Sequence, residues 1–355
     1  MSFILGVFTT LAILFLFGRI KLKSGKPIIN KSGPYIMAVG GGTGLSTLLR
    51  GIKTFTRNIT AVVAVTDEGG SSGRIRNEWG MLPPGDVRNC IVALAENDNE
   101  LRSILDYRFD RGELSGHSLG NLLLLAVTEM CGDFSTAVKK MNHLLSIRGR
   151  VLPVTTEGIT LVGKTKNGEP VRGELDISHH GHELSEIWLE PVDAKPLQDV
   201  ITAVDDAEII LLGPGSLFTS VIPNLLLPDF SAKLKDAQVP KVYICNLMTQ
   251  PEETQGMNIV QHLEWVAAAL GSVPDFVIAN DEQIPDDIVE AYRQEGADPL
   301  YLDRHQREAI RSMGCVCIEA SIMSVFESAK EGRVLRHDSQ KLASVIFRLI
   351  REIYG

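Results

Sequence analysis

Apolar residues along this chain fall into short unbroken runs, separated by longer stretches where they recur at helical spacing. Tyr35–Val39 and Ile59–Val65 are nearly continuous, the mark of strands buried on both faces. Glu208–Leu212, Val242–Cys245 and Phe276–Ala279 have the same character. Between them, Leu45–Lys53, a stretch from Asp86 to about Glu96, Leu119–Met130, Phe134–Leu145 and Gln340–Tyr354 predict helices, with Asp86 as a capping residue. Asp67–Gly85 is rich in Gly, Ser and Pro and reads as a long loop. From Val151 to Pro191 the rhythm changes. Ile159–Lys164 and Pro170–Ile177 flank Asn167-Gly168, a hairpin signal, and predict a small antiparallel β insertion at about 151–191.

Alternating strands and helices with continuous apolar strands predict an α/β fold built on a doubly wound, mostly parallel sheet. Ligands of such sheets lie outside the carboxyl ends of the strands. Here four strands run into loops rich in Gly, Ser, Thr, Asn and Asp, which should converge on one edge.

The first residues stand apart. Phe3–Phe17 is apolar, and Arg19, Lys21, Lys23 and Lys26 follow at once. The run is shorter than the ~20 residues a spanning helix needs. Its charges follow rather than precede it, which disfavours a secretory signal, and they place the remainder of the chain on the cytoplasmic side. Residues 1–24 therefore read as an anchor; a peripheral helix and a mis-assigned start are the alternatives. Residues 25–34 form a linker and 35–355 a nucleotide-binding α/β domain. The expected location is cytoplasmic, with an inner-membrane tether through residues 3–20.

Composition adds three constraints. A hydrophobic share of 44% over 355 residues supports a real core. A net charge of −9 without an extended basic block argues against a nucleic-acid binder. Five scattered cysteines (Cys90, Cys131, Cys245, Cys315 and Cys317) argue against a disulfide framework, and Cys315-Val-Cys317 reads as alternation along a buried strand.

The candidate chemistry sits in the strand-end loops. Gly40-Gly41-Gly42-Thr43-Gly44 can bring backbone N–H groups against a phosphate at a helix start, or be no more than a tight turn. Leu45 stands where the third glycine of a dinucleotide fingerprint would fall, and no Walker pattern occurs. In Asp67-Glu68-Gly69-Gly70-Ser71-Ser72-Gly73-Arg74 the carboxylates, Asp67 first, can hold Mg²⁺ near a diphosphate or cap the loop. Arg74 and Arg76 are candidate anion partners or solvated loop residues. Arg88 and Asn89 follow Asp86 in the first turn of a helix, where a cation opposes the dipole and a bound anion would resolve the conflict. Gly116-His117-Ser118-Leu119-Gly120-Asn121 opens another helix; His117 is a general-base candidate or a structural polar residue. His179-His180-Gly181-His182 fits a solvated turn better than a metal site.

At these loops the sequence resembles the bacterial gluconeogenesis factor family, in the superfamily of 2-phospho-L-lactate transferase, an enzyme of deazaflavin cofactor synthesis. The resemblance is carried by Gly40–Ser46 with Leu48–Gly51, Asp67–Arg74, Leu82–Asn89, Gly116–Leu124, Gly213–Ser220, Asn246–Gln250 with Glu253-Thr254, and Arg336-His337-Asp338. It implies a Rossmann-like core and a nucleotide-sugar ligand such as UDP-N-acetylglucosamine. It also implies a role in cell shape and envelope-precursor balance during growth on gluconeogenic carbon. The family pattern reads Asp-Asp-Gly-Gly-Ser-Ser, and Glu68 here replaces its second Asp.

The ligand contacts expected on this reading are Gly41, Gly42, Thr43, Gly44, Asp67, Ser71, Ser72, Arg74, Asp86, Arg88, Asn89, Asn121, Gly213, Gly215, Ser216, Asn246, Thr249, Gln250, Tyr292 and Arg336. Tyr292 and Arg336 form the aromatic and guanidinium pair suited to a uracil ring and a diphosphate. The expected function is a UDP-sugar-binding regulator working through an unidentified protein partner, with self-association left open. The alternative is a Mg²⁺-dependent transferase acting on a nucleotide-activated donor, and a third option is a tethered scaffold with a vestigial site.

Overall fold

β1 (Ile36–Gly40) is buried along its whole length, and its side chains alternate between two cores. Ile36 and Ala38 join the core on one face of the sheet, Met37 and Val39 the core on the other. The computed structural model describes residues 33–96, 98–328 and 332–355. The anchor expected at residues 1–24 and most of the linker lie outside the described residues. Among the described residues, no helix is long and apolar enough to cross a membrane.

Seven parallel strands make the central sheet. They are β1, β2 (Ile59–Val63), β3 (Arg150–Pro153), β7 (Ile209–Leu212), β8 (Lys241–Ile244), β9 (Phe276–Asn280) and β10 (Val316–Ala320). Their order is β10-β9-β8-β7-β1-β2-β3. The chain winds outward from β1 to β3 on one side and from β7 to β10 on the other. The topological switch point therefore falls between β1 and β7, where an open α/β sheet leaves a crevice beyond the strand ends. Helices Gly42–Ile52, Gly85–Leu94 and Ser339–Tyr354 cover one face through Leu45, Leu49, Ile91 and Ile346. Helices Gln198–Asp206, Pro228–Asp236 and Ile259–Leu270 cover the other through Val204, Phe230 and Leu263.

The antiparallel insertion is a three-stranded sheet of β4 (Thr160–Thr165), β5 (Pro170–Arg172) and β6 (Leu184–Glu190), in the order β5-β4-β6. Leu161, Val171 and Leu189 pack into the second core. Three local expectations are corrected. Val151–Pro153, read as part of the insertion, is the end of β3 and pairs with β2. Residues Glu174–His180, whose first part was read as a strand, form a helix. The supposed loop Asp67–Gly85 contains the helix Gly70–Trp79, which buries only Ile75 among large apolar side chains and so leaves almost no periodic signal. Two further strands, β11 (Met323–Ser328) and β12 (Gly332–His337), form a separate hairpin.

Gly51 is where the C-terminal helix meets the first helix. A methyl group there would overlap the carbonyl of Ser339 and lie 3.0 Å from Ala343 Cβ. Gly51→Ala should therefore destabilise the fold by about 2 kcal/mol through overpacking, even though alanine favours a helix. Urea unfolding measures this, and an unchanged midpoint would show that the two helices do not meet so closely.

Candidate functional site

Two glycine turns meet at the switch point. The first leaves β1, with Gly42 in the left-handed region at φ +63°. The second leaves β7 as Gly213-Pro214-Gly215-Ser216, and the Gly213 N–H donates to the Val39 carbonyl at 2.8 Å. A Cβ on Gly44 would stand 2.5 Å from the Pro214 oxygen and 2.9 Å from the Gly215 nitrogen. The turns thus touch backbone to backbone, as only glycine allows.

Above them opens a cleft of about 460 Å³, within the roughly 300–1,000 Å³ usual for small-molecule sites. Gly41, Gly42, Thr43 and Gly44 form one wall, and Gly215 and Ser216 the next. Asn246, Thr249 and Gln250 come from the loop after β8; Tyr292 and Arg336 line the far side. Gly213 lies just beneath, in the turn itself. A relay of amides shapes the middle: Gln250 Nε2 donates to Ser216 Oγ at 2.8 Å, and Asn246 Nδ2 to Gln250 Oε1 at 3.5 Å. Two candidates spend their hydroxyls on structure. Thr249 Oγ1 accepts the Asp298 N–H at 2.8 Å, and the Tyr292 hydroxyl accepts the Leu335 N–H at 3.2 Å. His337 also lines the cleft, although the sequence had marked it only as part of a motif. Its Nε2 donates to the Cys245 carbonyl at 3.1 Å, and burial pushes its pKa down to about 4, so it is neutral and committed to tying β12 to β8.

The remaining candidates gather behind the first turn and are not part of the cleft lining. Asp86 does not cap its helix, whose N-cap is Pro84. Its carboxylate instead lies 2.5 Å from where a Gly41 Cβ would be and faces the Gly42 backbone. Asp67 Oδ1 accepts the Gly69 N–H at 2.9 Å, and Ser72 Oγ the Gly85 N–H at 3.1 Å. Ser71 Oγ shares a hydrogen bond with His117 Nδ1 at 3.0 Å and accepts from Asn121 Nδ2 at 3.0 Å. Burial lowers the His117 pKa, helped by the charge of Arg74, so the ring is a neutral member of this network.

Arg88 is buried, pairs with the Asp106 carboxylate and donates to Asn121 Oδ1 at 3.4 Å. Its conflict with the helix dipole is thus answered by Asp106 rather than by a bound anion. Arg74 donates to the Ser115 carbonyl at 2.6 Å and holds a loop. Arg76 likewise reaches the Ile159 carbonyl at 2.7 Å. Asn89 is partly exposed on the Arg88 helix.

Glu174 joins this cluster without having been expected. Glu68 Oε2 accepts the Glu174 N–H at 3.0 Å, and Glu68 lies 3.6 Å from Arg76. Glu68 thus moors the insertion to the loop that follows β2. No local signal marked Glu174, because only the tertiary fold brings the insertion to this loop. Burial, then the charge of Asp67, pushes both Asp86 and Glu174 up to about 7. Among the described residues, no group of three or more His, Cys, Asp or Glu is arranged to hold a metal ion by itself. The histidine stretch is exposed but engaged. His179 pairs with the Glu252 carboxylate, and the His182 N–H donates to the Glu252 carbonyl at 3.2 Å.

The family model for 2-phospho-L-lactate transferase CofD matches residues 36–323. The chain belongs to the CofD family. Within that family it is similar to the gluconeogenesis factor of Bacillus subtilis, at 40% identity over 321 residues, covering 90% of this chain and 99% of the relative. It is also similar to that of Halalkalibacterium halodurans, at 42% over 313 residues, covering 88% and 95%. A crystal structure of a Bacillus halodurans protein superposes with a TM-score of 0.83 at 42% identity, covering 89% of this chain and 99% of that one. The CofD match begins at the first residue of β1 and ends at the first residue of β11. It therefore spans the whole sheet and includes Tyr292, while Arg336 lies beyond it.

The raised carboxyls set a pH dependence. A carboxyl whose pKa is raised by folding stabilises the fold fully below its ordinary value and loses that contribution as pH rises through the folded value. With Asp86 and Glu174 at about 7, the melting temperature should fall by several degrees between pH 6 and pH 8.5. Asp86→Asn should flatten that decline. Calorimetric melts across the range test it; an equal slope in wild type and variant would show that the cluster does not titrate there.

Proposed function

We propose that the cleft binds a UDP-sugar such as UDP-N-acetylglucosamine, and that the protein is a regulator reporting this ligand to a protein partner. One observation carries the reading. Both glycine turns of the switch point, Tyr292 and Arg336 border the same cleft. Free backbone N–H groups and a guanidinium suit a diphosphate, and an aromatic face suits a pyrimidine ring. The similarity to gluconeogenesis factors supports a role during growth on gluconeogenic carbon; the part in cell shape and envelope-precursor balance belongs to the same proposal and rests on the family resemblance of the sequence. The tether through residues 3–20 belongs to the same reading and rests on the sequence pattern alone.

Binding without turnover is favoured because His337, the histidine that lines the cleft, is neutral and engaged with Cys245. The second reading, a Mg²⁺-dependent transferase, draws on the CofD match and on the carboxyls behind the first turn. Mg²⁺ is commonly held by one or two carboxylates together with substrate phosphates. Asp67, with one oxygen committed to Gly69, and Asp86 would be the protein donors, with the ligand supplying the rest.

Calorimetry with UDP-N-acetylglucosamine, with and without Mg²⁺, tests both readings. Saturable binding with no UMP or UDP released over hours is the expected result. Arg336→Ala should weaken binding by about tenfold to a hundredfold, the worth of charge-assisted hydrogen bonds. Time-dependent release of UMP or UDP would establish the transferase instead, and failure to bind any UDP-sugar would overturn the proposal.

A further inference from the structure

Glu253 does not line the cleft, yet it holds the loop that does. Its side chain is 1% exposed. It accepts the Phe218 N–H at 2.9 Å, and the Thr219 N–H and Ser216 hydroxyl also face its carboxylate. Those residues open the π-helical turn Leu217–Val221, whose first N–H groups have no partner within the turn. Ser216 is the N-cap of that turn and belongs to the residue types that normally cap with their own oxygen, but its side chain makes no such bond. Glu253 caps from across the fold instead. Ser216 Oγ is thereby released to accept from Gln250 and to border the cleft. The neighbouring Thr254 completes the buckle, its Oγ1 accepting the Gln250 N–H at 2.8 Å.

The other side of this buckle is gripped by the helical part of the insertion. Glu252 is in the left-handed region at φ +61°, one of only two such non-glycine residues among those described. His179 pairs with its carboxylate and the His182 N–H with its carbonyl. Gly181 packs so closely that a side chain there would overlap the Glu253 carbonyl and press on the Phe218 ring. The arrangement is costly in itself. Glu253 Oε2 is buried without a hydrogen-bond partner, and burial pushes this carboxyl up to about 7. A helix start alone does not call for such a residue, since a capping Ser216 would serve it locally.

We propose that Glu253 is a positioning residue of the ligand cleft, setting the Gly215–Ser216 wall against the Gly41–Gly44 turn, and that the Glu252–Glu253 turn links this wall to the seating of the insertion. The proposal rests on the reading of the cleft as the UDP-sugar site. It also gives the His179–His182 stretch a purpose: these residues clasp the buckle from outside.

Two variants and two readouts test it. In ligand-free protein, Glu253→Ala should speed amide hydrogen exchange at residues 216–219 by about tenfold, the loss of one hydrogen bond's worth of protection, while amides of β1 exchange at the wild-type rate. The same variant should weaken UDP-N-acetylglucosamine binding by about tenfold or more. Glu253→Gln keeps an oxygen for the Phe218 N–H and should recover most of both losses. Wild-type exchange at 216–219 in Glu253→Ala, or equal acceleration in β1, would reduce Glu253 to an ordinary packing residue and overturn the proposal. So would altered exchange with unaltered binding. A wild-type protein that binds no UDP-sugar would sink the function proposed above, and the exchange measurement would still decide whether Glu253 sets the wall.

Discussion

The Pro214 carbonyl lies where the side chain of any residue but glycine at position 44 would begin. Much else follows from that contact. It fixes the distance between the turn leaving β1 and the turn leaving β7, and so the floor of the crevice at the switch point. The neighbouring bonds reinforce it. Gly213 donates to Val39, and the Gly40 carbonyl accepts from both the Ala64 N–H and Asn224 Nδ2. Asn224 in turn reaches the Ser220 carbonyl at 2.8 Å, so the helix behind the second turn is tied to the strand before the first. A sheet buried on both faces supplies the rigidity, and the glycines supply the close approach that side chains would prevent.

The electrostatics of this floor change the simple picture of an anion site at a helix start. The first turn presents its N–H groups, but the Asp86 carboxylate already faces the Gly42 backbone. The second helix start is treated alike, with Glu253 taking the Phe218 N–H. A carboxylate of the protein's own thus stands behind each helix start. A phosphate bound above the floor would rely on the donors that remain in the turns and on Arg336 across the cleft. This separates two layers with different characters: a half-buried, acid-rich layer behind the glycines, where desolvation raises two carboxyls to about 7, and a cleft in front bordered by amides, Tyr292 and a guanidinium. A pKa near neutrality means the rear layer need not carry its full formal charge, which eases the approach of an anion to the front.

Why some of this was legible in the sequence, and some not, follows from the same physics. The central strands were readable because both faces are buried, so Ile36 to Val39 and Ile209 to Leu212 are apolar without alternation. The converging polar loops were readable because doubly wound sheets place them at one edge. Helix Gly70–Trp79 was missed because it opens on Gly-Ser-Ser-Gly and contacts the core mainly through Ile75. Arg88 and Asp86 were read from local helix rules, whereas their partners, Asp106 and the Gly41–Gly42 backbone, are tertiary. The sequence treated the strand-end candidates as one site. The fold divides them, with Gly41–Gly44, Ser216, Gln250, Tyr292 and Arg336 in front and Asp67, Ser71, Asp86 and Asn121 behind.

The extent of the family match bears on which of the two functions this architecture serves. The CofD model ends at Met323, where β11 begins, and the wall carrying Leu335, Arg336 and His337 lies past that point. That wall is joined to the shared core at two places: the Leu335 N–H to the Tyr292 hydroxyl, and His337 to the carbonyl that ends β8. Both junctions use side chains that could otherwise do chemistry, and both leave them as fixed struts. The carboxyl cluster, by contrast, lies wholly within the matched span. If turnover depends on that cluster and ligand retention on the added wall, the two properties are physically separable on this scaffold.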